Sequence, residues 1–138
     1  MGVELESAYP YTAKDGTCKA SKTKAQSFVS SYTNVKAYSA DQLKAAIANG
    51  PVSVTIEADT YVFQLYTGGV LDSASCGTSL DHAVTAVGYG VENGVEYYLV
   101  RNSWGSGWGD HGYIKIATQA SGAGICGIQQ ISLYPVAS

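Results

Sequence analysis

The dipeptide Asn93-Gly94 constrains the fold of this chain more than any other feature. It sits between two β-rich runs, Ala83-Val84-Thr85-Ala86-Val87-Gly88-Tyr89 and Tyr97-Tyr98-Leu99-Val100-Arg101. Asn and Gly both tolerate positive φ, which the tight turn of a twisted hairpin requires, so the segment predicts two antiparallel strands in a set register. A hairpin returns the chain to where it began. The residue that opens the first strand, His82, is thereby expected beside the residue that follows the second, Asn102.

The flanking segments read as further elements around this pair. Ser39-Ala40-Asp41-Gln42 has the form of a capping box, in which the Ser39 hydroxyl and the Gln42 side chain satisfy each other's backbone amides. Leu43, Ala46 and Ile47 then fall on one helical face. Asn49-Gly50-Pro51 ends that helix, with glycine suited to a left-handed cap and proline unable to continue. Val52-Ser53-Val54-Thr55-Ile56 alternates as a strand. Thr60 to Leu65 suits one helical turn, and Gly112 to Ile116 and Ile131 to Tyr134 supply two more strands. Residues 1–33 are polar and turn-rich: Tyr9-Pro10-Tyr11 is extended or turn-like and Lys14-Asp15-Gly16 is a turn.

Composition narrows the class. With 46% hydrophobic and 14% charged residues, the 138-residue chain is globular and long enough for one domain with a core. A net charge of −3 with no cluster of Lys or Arg argues against a nucleic-acid surface. No apolar run approaches the roughly 20 residues that span a bilayer, and no signal-peptide pattern opens the chain, so no membrane partner is expected. Gly2 is no myristoylation site, because Glu6 stands where Ser or Thr is wanted.

Two histidines and three cysteines bear the possible chemistry. Taken alone, His82 reads as a hydrogen-bonded core or rim histidine, and the cysteines as reduced buried thiols or as one disulfide plus a leftover. Cys76, His82 and His111 show no spacing typical of a metal site, so no metal and no cofactor is expected. The longer pattern is more specific. Asp81-His82-Ala83-Val84, Gly88-Tyr89-Gly90, Arg101-Asn102-Ser103-Trp104-Gly105, Gly107-Trp108-Gly109 and Gly112-Tyr113 together resemble the histidine and asparagine blocks of papain-like cysteine proteases of the cathepsin L and papain type. The resemblance runs from Tyr9-Pro10-Tyr11 to Tyr134-Pro135 and corresponds to the C-terminal two-thirds of a mature protease.

That resemblance implies an α+β fold: the right-hand domain of a papain-like protease, with an antiparallel, barrel-like sheet, one main helix and a disulfide. Residues 1–33 would be a remnant edge of the helical N-terminal domain, and residues 34–138 the β-rich C-terminal domain. His82 would be the general base and Asn102 the group orienting its ring. Trp104 would shield their hydrogen bond and Trp108 would line the leaving-group side of the cleft. Thr55, Leu80, Ala83 and Ile131 match the pocket for the substrate residue two before the scissile bond, with Asp81 a structural carboxylate beside it. Peptides carrying a hydrophobic residue there are the expected substrates. Cys76 and Cys126 match a half-cystine each, closing a loop worth on the order of 4 kcal/mol, and Cys18 is left unpaired.

The nucleophilic cysteine and the oxyanion-hole glutamine of such proteases lie in an upstream block, and no Cys-Gly-Ser-Cys-Trp-like stretch occurs here. The Met1-Gly2 start ahead of mid-family sequence reads as a truncation. The expectation is part of a cysteine endopeptidase, inactive alone, partnered by an N-terminal protease fragment or by itself through exposed apolar surface. The alternative is a non-catalytic peptide-binding or structural protein built on the same fold. A lysosomal, vacuolar or secreted location goes with the resemblance.

Overall fold

The computed structural model describes residues 2–137. The chain divides into two compact units, Met1–Thr33 with Pro135–Ser138, and Asn34–Tyr134. In the first, β1 (Gly2–Val3) pairs antiparallel with β2 (Ser27–Asn34), and turns fill the chain between them. None of its described residues is buried.

The second unit holds the core. Helix α1 (Ala40–Asn49) starts at Ser39, whose hydroxyl accepts the Gln42 amide at 3.4 Å. Only this half of the expected capping box forms. Ala40, Leu43 and Ile47 are its buried face. The helix stops at Gly50 with φ 153° and ψ 179°. That is a region essentially confined to glycine, but it is not the left-handed cap expected from Asn49-Gly50-Pro51.

Strand β3 (Val52–Ile56) buries Val52, Val54 and Ile56 and turns Ser53 and Thr55 outward, the alternation its sequence predicts. A short helix, α2 (Tyr61–Gln64), follows, then β4 (Val70–Leu71). The long hairpin is β5 (His82–Glu92) and β6 (Val95–Arg101), turning through Asn93 and Gly94 at φ 50° and 81°. Val87 is bulged between Ala86 and Gly88, and the register otherwise runs from Thr85 opposite Arg101 to Glu92 opposite Val95. Strands β7 (Tyr113–Ala117) and β8 (Ser132–Ala137) complete the set.

Within the second unit the order is β8-β3-β5-β6-β7-β4, with the opening residues of β8 beside β3. Every pair is antiparallel except β4 with β7, which is parallel. The sheet is open: its two ends do not pair, so the barrel-like closure expected from the resemblance is not formed. A two-residue end strand offers too short a ladder to carry the stagger that closure needs. Tyr98, Val100, Ile114, Ile116, Val54 and Phe63 are fully buried on the core side, each such side chain contributing roughly 1.5–3 kcal/mol.

Candidate active site

His82 is the first residue of β5 and pairs across the sheet with Ile56 of β3. Its Nε2 lies 2.9 Å from Asn102 Oδ1, just beyond the end of β6. The hairpin brings them together, since neither could reach the other without the return of the chain. Asn102 is 8% exposed, and its own amide donates to the Gly112 carbonyl at 3.0 Å. The orientation of its side-chain amide follows from a second contact: the Ser103 backbone N–H donates to the same Oδ1 at 2.8 Å, and an N–H can only donate. An oxygen at that position must receive its bond from Nε2–H. The proton of a neutral His82 ring therefore sits on Nε2, and Nδ1 keeps its lone pair.

An aromatic wall backs this pair. The Trp104 indole stacks on the His82 ring, centroids 5.2 Å apart and planes 29° from parallel. Trp104 meets Trp108 edge-on at 5.3 Å, and both pack on Phe63 at 5.5 and 5.0 Å. Phe63 is fully buried in α2, and Trp108 Nε1 donates to the Gln64 carbonyl at 3.0 Å. The short helix is thus the footing of both indoles. A flat apolar cover on one face of the imidazole excludes water from it and strengthens the bond to Asn102.

A hollow of about 310 Å³ opens beside the histidine, lined by Thr55, Leu80, Asp81, His82 and Ala83. Ile131, expected in the same wall, does not line it. Its carbonyl accepts from Thr55 N and Thr55 Oγ1, both at 3.1 Å, while the residue is 55% exposed. Asp81 holds the loop before His82: its Oδ1 accepts the Ala58 amide at 2.8 Å and its own amide donates to the Ile56 carbonyl at 3.0 Å. Burial, and then the neighbouring Asp81 and Glu57 carboxylates, raise the pKa of Asp59 above the ordinary carboxylate value.

Cys76 and Cys126 form the disulfide, joining two short 3-10 turns. Cys18 is a free, exposed thiol. No group of three or more His, Cys, Asp or Glu among the described residues is arranged to hold a metal. One residue that supports the site, Phe63 beneath both indoles, was legible in the sequence only as one apolar position in a short turn.

Chemically, an imidazole held in this way can accept a proton at Nδ1, with an amide fixing its ring and an indole covering one face. It is the arrangement of hydrolases that work through a covalent intermediate. The chain belongs to the papain family of cysteine proteases, whose family profile matches residues 1–136. It is 47% identical over 137 residues to cysteine proteinase RD21A of Arabidopsis thaliana, covering 98% of this chain and 29% of that protein. Digestive cysteine proteinase 2 of Homarus americanus is 44% identical over 137 residues, covering 98% and 42%. The solved structure of bromelain from Ananas comosus in complex with the E64 inhibitor superposes with a TM-score of 0.91 at 42% identity, covering 99% of this chain and 64% of bromelain. The chain therefore spans less than half the length of these two curated relatives.

Proposed function

We propose that the chain supplies the imidazole–amide half of a cysteine endopeptidase site. The observation that carries this reading is the 2.9 Å bond that ties His82 Nε2 to Asn102 and leaves Nδ1 as the free base. In this reading His82 Nδ1 takes the proton of a cysteine thiol, and the thiolate attacks the scissile carbonyl. The protonated ring then gives that proton to the leaving amine, and water releases the acyl group by the same route in reverse. Asn102 keeps the ring in place through both transfers, Trp104 shields the bond, and Trp108 faces the leaving group. The Thr55–Leu80–Ala83 hollow, uncharged apart from Asp81 at its rim, receives a hydrophobic side chain two residues before the scissile bond.

Cys76 and Cys126 are bound to each other and Cys18 stands in no Cys-Gly-Ser-Cys-Trp-like block, so the nucleophile in this reading comes from an N-terminal protease segment outside these residues. The chain alone is then inactive. Its disulfide agrees with an oxidising compartment, lysosomal, vacuolar or secreted.

The test is an epoxide probe for papain-type thiolates, read by intact mass, with and without a co-expressed N-terminal fragment. Labelling only in the mixture, and its loss in His82→Ala, is the expected result. Absence of labelling in the mixture, or labelling of the chain alone at Cys18, would overturn the reading.

A further inference from the structure

The loop that delivers His82 hangs on a carboxylate that takes no part in the chemistry. Glu57 follows β3, and its Oε2 accepts the Ser79 backbone N–H at 2.5 Å, across 22 residues of sequence. The Glu57 backbone is itself anchored at the disulfide. Its N–H donates to the Cys126 carbonyl at 2.8 Å, and its carbonyl lies 3.6 Å from Cys76 Sγ.

The carboxylate occupies space that only a glycine leaves open. Gly77 has φ 79°, and a Cβ there would run into the Glu57 carboxylate. Leu80 rests on the adjoining turn, where a Cβ on Gly127 would meet its Cδ2 at 2.8 Å. From the far side, Gln130 Nε2 donates to the Thr78 carbonyl at 2.8 Å. Residues 78–81 are therefore held at both ends, by Glu57 and Gln130 first and by the Asp81 bonds to Ala58 and Ile56 last.

We propose that Glu57 is a positioning residue for substrate selection. By holding the Ser79 amide against the disulfide turn, it sets Leu80 as a rigid wall of the hollow beside His82. Leu80 lines the hollow and directly follows Ser79, so the backbone that Glu57 anchors carries it. The Asp81 bonds fix His82 separately, so loss of Glu57 loosens the wall more than the base. A bond from a backbone amide to an ionised carboxylate is among the stronger kinds, and its loss frees the loop by about a factor of ten. The claim on substrates rests on the peptidase reading above; the claim on the loop does not.

The experiment has two arms. In this chain alone, Glu57→Ala is expected to speed amide exchange of Ser79 about tenfold while leaving Tyr98 and Val100 unchanged, and Glu57→Gln, which retains an acceptor, to restore most of the protection. Gly77→Ala is expected to reproduce the Glu57→Ala pattern by displacing the carboxylate. In the protease completed with its N-terminal segment, Glu57→Ala is expected to raise KM about tenfold for peptides with a bulky hydrophobic residue at the hollow. For alanine there, KM stays level, and kcat moves less than about twofold for both.

Unchanged exchange at Ser79, or an equal loss on both substrates, would overturn the proposal. An inactive completed protease would instead count against the peptidase reading, and the exchange arm would still decide the role of Glu57 in the loop.

Discussion

The two compact units of this chain are built on opposite terms. In Asn34–Tyr134 the apolar residues close on one another, and Val52, Val54, Ile56, Phe63, Tyr98 and Ile116 reach zero exposure. In the other unit comparable side chains stay open: Leu5 is 58% exposed, Tyr11 85% and Tyr32 65%. The contrast lies in how residues are covered rather than in which residues are present. A strand pair with long turns has no second layer to pack against, whereas a sheet with a helix laid on it does. The candidate site follows the same division, because a geometry held to tenths of an ångström needs rigid supports, and the buried core of the larger unit provides them.

The sharpest way to break the comparison is a matched pair of truncations. Phe63→Ala, which removes the buried footing of Trp104 and Trp108, is expected to cost about 4 kcal/mol in urea unfolding. It should also quench the stacking of Trp104 on His82, visible as a change in indole fluorescence. Phe28→Ala, at a residue 45% exposed in the smaller unit, is expected to cost no more than about 0.5 kcal/mol. Similar costs at the two sites would erase the distinction.

A smaller effect tests the core from its polar side. Burial first, and then the charges of Glu96 and Asp41, push the Tyr98 phenol up to about 12. Its hydroxyl donates to the buried Gln129 Oε1 at 3.1 Å. Because the folded value is raised, the unfolded chain gives up this proton first. Stability is therefore flat below about pH 10 and falls between about 10 and 12, by on the order of 2 kcal/mol for this one group. Alkaline urea titrations of the parent and Tyr98→Phe are expected to differ in that window alone by this pH-dependent loss, which the variant lacks.

The smallest effect sits next to the site. Asp59 is an acid whose pKa is raised in the fold by burial and by Asp81 and Glu57, so its ionised form is the disfavoured one. Asp59→Asn is expected to raise the urea midpoint at pH 7. The sign follows from linkage: the penalty appears as pH rises through the carboxylate range, and the gain fades on acidification below the ordinary value of 3.8. A gain that persists at low pH would show that charge is not its source.

What could be read from the residues in order was what depends on near neighbours. Helix α1 announced itself through Ser39 and the Leu43–Ala46–Ile47 spacing, β3 through alternation, and the hairpin through Asn93-Gly94. The hairpin carried the central site contact with it, since returning the chain is enough to set His82 against Asn102. The resemblance added the pairing of Cys76 with Cys126, which three cysteines alone left open.

Other features waited for the packed chain. That the sheet stays open follows from a two-residue strand lying parallel to β7, a length no propensity in Val70-Leu71 specifies. Ile131 meets Thr55 through its backbone carbonyl, a contact that side-chain type does not report. Phe63 under two indoles and Glu57 on the Ser79 amide join residues far apart in the chain. Local sequence expresses φ/ψ preference and burial period, both properties of a few adjacent residues. Which distant surfaces then meet is settled only when the whole core closes, because each such contact gains its energy from the others already being in place.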